Sequence, residues 1–120
     1  MPTIADNQAI CMHRGDSLVY PIFVNVGSKA LPMRYPMQEG DTLYVGIMEP
    51  NAPFECALIR KALHKEDANA EGDVVLRLDP KETECMLPGL YYYEAKLECT
   101  RGGKAEVHTV VPRRRFVLVE

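Results

Sequence analysis

An all-β sandwich is the fold class this sequence predicts. Apolar and polar side chains alternate with a period of two in several segments, and turn dipeptides separate those segments at short intervals. The 120 residues, 47% apolar and 26% charged, supply one ordinary globular core, so residues 1–120 are read as a single domain.

Turn signals fall at Gly15-Asp16, Gly27-Ser28, Gly40-Asp41, Pro50-Asn51, Gly72-Asp73, Pro88-Gly89 and Gly102-Gly103. Three are Gly-Asp pairs standing just before an apolar run; their unequal spacing makes them punctuation and not a repeat.

The segment from Ser17 to Val26 reads as a strand, with Leu18, Tyr20, Ile22, Val24 and Val26 on one face and Val19 and Phe23 on the other. Apolarity on both sides suits a central strand, or one whose outer face meets a partner. Thr42 to Glu49 repeats the pattern, with Leu43, Val45 and Ile47 set against Tyr44 and Met48. Phe54 to Leu63 is ambiguous. It alternates as a strand, but Phe54, Ala57, Leu58 and Ala62 also recur at helical spacing; Pro53 and the β neighbours favour strand over residues 54–63. A loose loop is expected around His64 to Gly72.

Asp79-Pro80-Lys81-Glu82 places an N-cap acid, a proline at the first helical position and a glutamate at the third, which predicts one helical turn between two strands. The clearest alternation runs from Leu90 to Cys99. Tyr91, Tyr93, Ala95, Leu97 and Cys99 face the core, while Tyr92, Glu94, Lys96 and Glu98 face solvent. Ala105 to Val111 is its hairpin partner across Gly102-Gly103. Arg115 to Val119 is a further strand or a continuation past Pro112, which marks an edge or a kink.

Seven or eight short strands and one helical turn match an immunoglobulin-like antiparallel β-sandwich, with a closed barrel as the rival. Leu87-Pro88-Gly89-Leu90-Tyr91 decides for the sandwich. Such folds carry a corner where a tyrosine near the start of a strand bonds back to the preceding turn, and Tyr91 is the candidate.

Seventeen acidic and fourteen basic residues give a net charge of -3, which provides no global field for nucleic acid or anionic membrane. No stretch approaches the roughly 18 consecutive apolar residues of a membrane span, and no signal peptide opens the chain, so a soluble, unsecreted protein is expected. Cys11, Cys56, Cys85 and Cys99 lack C-x-x-C spacing and are expected to stay thiols; a Cys11 to Cys99 bridge depends on geometry.

Motifs for chemistry are sparse. His13, His64 and His108 are scattered among isolated cysteines without ligand spacing, so no metal site or cofactor is expected. Ser17 follows a Gly-Asp turn and has no nucleophile-elbow or phosphate-loop context, so no catalytic residue is assigned. Arg113-Arg114-Arg115 is the one basic cluster; between Pro112 and Phe116 it reads as the exposed start of a strand, and otherwise as part of a protein interface. Tyr91, Tyr92 and Tyr93 do not form a stacking platform, because alternation leaves only Tyr92 outside.

Three phrases carry a family resemblance: Arg14-Gly15-Asp16-Ser17, the run Gly40-Asp41-Thr42-Leu43-Tyr44-Val45-Gly46-Ile47-Met48-Glu49-Pro50, and Leu87-Pro88-Gly89-Leu90-Tyr91-Tyr92-Tyr93-Glu94. Their order resembles small bacteriophage and prophage proteins, in particular the immunoglobulin-like N-terminal domain of phage baseplate upper proteins and related virion-associated domains. The resemblance implies the same sandwich and a non-enzymatic structural role in a tail, baseplate or head.

Other phage structural proteins are then the expected partners, with a homo-oligomer as a further possibility. No nucleic acid, membrane or small-molecule substrate is expected. The expected location is the cytoplasm of the bacterial host during assembly, and the virion. Surplus apolar surface from Val19, Phe23, Tyr44 and Met48 motivates docking. A carbohydrate-binding-like sandwich is the alternative, although the chain has no tryptophan.

Overall fold

The computed structural model describes residues 9–22, 24–27, 32–35, 37–70 and 72–120, with the backbone alone at 25–27, 32–34 and 101. Among these residues there are nine strands, two of them only three residues long. β1 (Ile10–His13), β5 (Thr42–Met48), β6 (Ile59–Leu63), β8 (Gly89–Arg101) and β9 (Lys104–Val119) form one sheet in the order β1-β9-β8-β5-β6. β2 (Leu18–Ile22) pairs with β7 (Val74–Leu78), and the short β3 (Asn25–Gly27) with β4 (Pro32–Arg34).

The five-stranded sheet stands opposite the pair β2-β7, the two-layer arrangement expected of an immunoglobulin-like sandwich. Pairing is antiparallel except at one edge, where Ile10–His13 runs parallel to Phe116–Val119. A tight turn after β1, closed by Asp16 N–H donating to the His13 carbonyl, sends the chain into β2 in the facing layer. Among the described residues β1 has no hairpin partner, and it lies along β9.

The two layers meet through alternation. Leu43, Val45, Ile47, Tyr93, Ala95, Leu97, Val111, Phe116 and Leu118 from the large sheet are buried against Ile22, Val74, Leu76 and Leu78 from the facing pair. Tyr20 meets Tyr93 edge to face, ring centroids 6.3 Å apart. At the predicted corner Tyr91 Oη donates to the Leu87 carbonyl at 2.6 Å. Gly15, Gly40 and Gly72 each take φ between +86° and +89°, which explains why Gly-Asp pairs precede three of the strands.

The helical turn is α1 (Pro80–Glu84), where Glu82 reaches back to accept from the Asp79 N–H at 2.8 Å. Two contacts hold it in place. Lys61 of β6 donates to Glu82 at 2.9 Å, and the buried Thr83 hydroxyl accepts from the Gly15 N–H at 3.0 Å.

Three expectations need correction. Residues 54–63 are not one strand: Phe54–Cys56 is a 3-10 turn, and only Ile59–Leu63 pairs with β5. The segment from Ser17 to Val26 is two strands, β2 and β3, with Phe23 outside the described residues. Arg113-Arg114-Arg115 does not start a strand but lies within β9, which runs on through Pro112. The pairing register slips by one residue twice between Tyr93 and Lys96, so β9 carries bulges there, and a bulge tolerates a residue without an N–H.

The Gly27-Ser28 turn lies partly outside the described residues. The loop after β6 contains a 3-10 turn, Lys65–Asp67, in which the Asp67 carboxylate accepts from the His64 N–H at 2.9 Å. Among the described residues no helix is long and apolar enough to cross a membrane.

Candidate functional site

The most developed surface is the outer face of the large sheet. Tyr44, Gly46 and Met48 alternate away from the core along β5, and the connection after Pro50 folds back over them. Gly46 makes this possible. A Cβ there would stand 2.9 Å from Phe54 Cε1 and 3.1 Å from Ala57 Cβ, so the ring occupies the space a side chain would fill.

Cations then close over the ring. The Arg60 guanidinium lies 5.2 Å from the Phe54 centroid and 5.7 Å from that of Tyr44, and Lys96 Nζ approaches Phe54 from β8 at 5.1 Å. Beside them, Glu98 of β8 and Val107 of β9 complete a shallow, open groove of about 330 Å³. Val107 is 60% exposed at its rim.

The arginine run does not make one patch, because strand alternation divides it. Arg113 Nη1 donates to the Ala52 carbonyl at 2.7 Å and its Nε to Glu94 at 3.3 Å, which anchors the returning connection. Arg114 pairs in register with Tyr93 on the inner side, and Arg115 is exposed opposite Tyr92. Lys96 stands 3.9 Å from the same Glu94 carboxylate. Burial and hydrogen bonding with Tyr20 push the Tyr93 phenol well above its ordinary range, so it is a neutral core group.

Surplus outward apolarity is smaller than the sequence suggests. Met48 is fully buried, Tyr44 is half-buried, and Val19 is 58% exposed on β2; Phe23 lies outside the described residues. Tyr91 and Tyr93 are buried and Tyr92 half-buried, as alternation required.

The histidines stand apart. His13 Nδ1 lies 3.0 Å from the Glu120 carbonyl oxygen beside the Arg14–Glu120 ion pair, His64 begins the loop after β6, and His108 is on β9. All four cysteines are free: Cys11, Cys56 and Cys85 exposed, Cys99 buried. Ser17 is exposed just before β2. Among the described residues one group of potential metal ligands converges, Cys99, Glu106 and His108. Sequence spacing did not show it, because the hairpin turn brings those positions together.

In comparisons with known proteins, no family model matches this sequence. No curated protein matches it significantly.

The groove was also missed by sequence reading. Its one advance signal is Gly46, a glycine inside a strand of bulky residues, which marks a close approach by another element.

Proposed function

We propose that this chain is a non-enzymatic docking protein of a bacteriophage or prophage particle, engaging a neighbouring structural protein through the outer face of its large sheet. The observation that carries the reading is the groove of Tyr44, Phe54, Arg60, Lys96, Glu98 and Val107. It is shallow and open, and it sets Tyr44, Phe54 and Arg60, of residue types enriched at the centres of protein interfaces, within a charged rim of Lys96 and Glu98. The particle context comes from the resemblance of the Arg14–Ser17, Gly40–Pro50 and Leu87–Glu94 phrases to virion-associated domains.

A carbohydrate platform is not favoured. The Phe54 ring is buried, packed against Gly46 and flanked by Arg60 and Lys96, so it offers no open face for a sugar to stack on.

The test is direct binding to the purified products of the genes flanking its own, by calorimetry, for the wild type, Val107→Glu and Lys96→Glu. Binding weakened by about tenfold or more in either variant is expected, since one hot-spot residue is worth that much. If the wild type associates with none of those products, the docking reading fails.

A further inference from the structure

The β8–β9 hairpin brings three side chains of different donor chemistry to one point. Cys99 and Glu106 are direct partners across it, and His108, opposite Leu97, lies two residues along the same face of β9. The candidate ligand atoms, a thiol sulfur, a carboxylate oxygen and an imidazole nitrogen, all lie within 4.8 Å of one another. His108 Nε2 and Glu106 Oε1 are 3.1 Å apart.

A tetrahedral ion with ordinary zinc bond lengths holds its ligand atoms about 3.3–3.6 Å apart. The imidazole and carboxylate already stand near that separation. Rotation of side chains on a hydrogen-bonded hairpin closes the remaining gap, of about 1 Å, to the sulfur.

We infer that Cys99, Glu106 and His108 bind one divalent transition ion of the zinc class, with the fourth position open to water. Thiolate and imidazole together favour zinc over magnesium or calcium, which take oxygen ligands. Cys99, 3% exposed, forms the floor. His108 and Glu106, with 56% and 44% side-chain exposure, form the solvent side by which the ion enters. Binding exchanges the Cys99 Sγ proton for the ion, so a proton is released to solvent and no electron moves.

Cobalt(II) titration of the full chain, stripped of metal and kept reduced, tests the assignment. The expected result is one equivalent of cobalt bound, with a thiolate-to-metal charge-transfer band and the visible bands of a tetrahedral ion, both removed by added zinc. Cys99→Ser abolishes the charge-transfer band, while Cys85→Ser keeps it. His108→Ala, at an exposed position, weakens cobalt binding by about tenfold or more, since even outer-shell partners are worth that much. Circular dichroism of each metal-free variant verifies folding. Absence of the band from the wild type in excess cobalt overturns the site, as does a band surviving Cys99→Ser or an unchanged affinity in His108→Ala.

Discussion

Glu82 shows how one side chain joins three parts of the molecule. Its carboxylate accepts from the Asp79 N–H at the start of α1 and from Lys61 on the edge strand β6. Burial alone would raise its pKa, but the Lys61 and Asp79 hydrogen bonds outweigh it and hold Glu82 below the ordinary value of 4.5. The folded chain therefore gives up this carboxylate charge less readily than the unfolded chain. The resulting stability is fully present above about 4.5 and is lost as pH falls through the lower, folded value. Because the Lys61–Glu82 pair is partly exposed, Glu82→Gln is expected to cost only about 0.5–1 kcal/mol at neutral pH. In urea unfolding of both proteins across the acidic range, that difference should shrink toward zero below the ordinary glutamate value; a constant difference would contradict the linkage.

At the scale of elements, the return of residues 50–56 over β5 is built on a single missing side chain. Gly46→Ala forces the Phe54 ring aside and is expected to destabilise by about 1–3 kcal/mol, the usual cost of overpacking. In a Phe54→Ala background the same substitution should cost far less, and a double-mutant cycle by denaturant unfolding measures the coupling. Additive effects would mean the ring and Gly46 do not compete for the space. This element also marks where sequence reading stops. The Leu90–Cys99 strand, the turn at Asp79-Pro80 and the Tyr91 corner were legible because each is encoded locally, by period, by capping residues or by a corner motif. The 3-10 turn at Phe54–Cys56 and the burial of Met48 were not, because both depend on how the connection packs back onto β5 and not on a local pattern. The groove and the Cys99–Glu106–His108 cluster failed to show for the same reason: their members meet only after strands pair.

Across the whole molecule, protection is uneven by construction. β5 lies between β6 and β8 and is buried over most of its length. Beyond the Thr42–Glu98 pairing the only strand partners of the hairpin among the described residues are its own: Cys99, Thr100 and Arg101 pair with Glu106, Ala105 and Lys104, and β9 is exposed from Lys104 to Thr109. Amide hydrogen exchange should therefore be slowest at Leu43–Ile47 and Tyr93–Leu97 and markedly faster at Thr100–Ala105. Equal protection at both places would show the hairpin end to be held by more than its own ladder.

The paired slips in β9 decide where along that strand its side chains change sides. The first reverses the parity of the strand, leaving Val111 pointing inward, and the second restores it, so that His108 and Glu106 lie beside Cys99 while Val107 looks out over the groove. Deleting one residue at either slip would straighten the ribbon there and leave the pairs beyond it standing, so acid and imidazole would stay beside the thiol and valine over the groove. Ligand cluster and docking face are thus fixed by who stands opposite whom across the hairpin, and not by the length of the strand between.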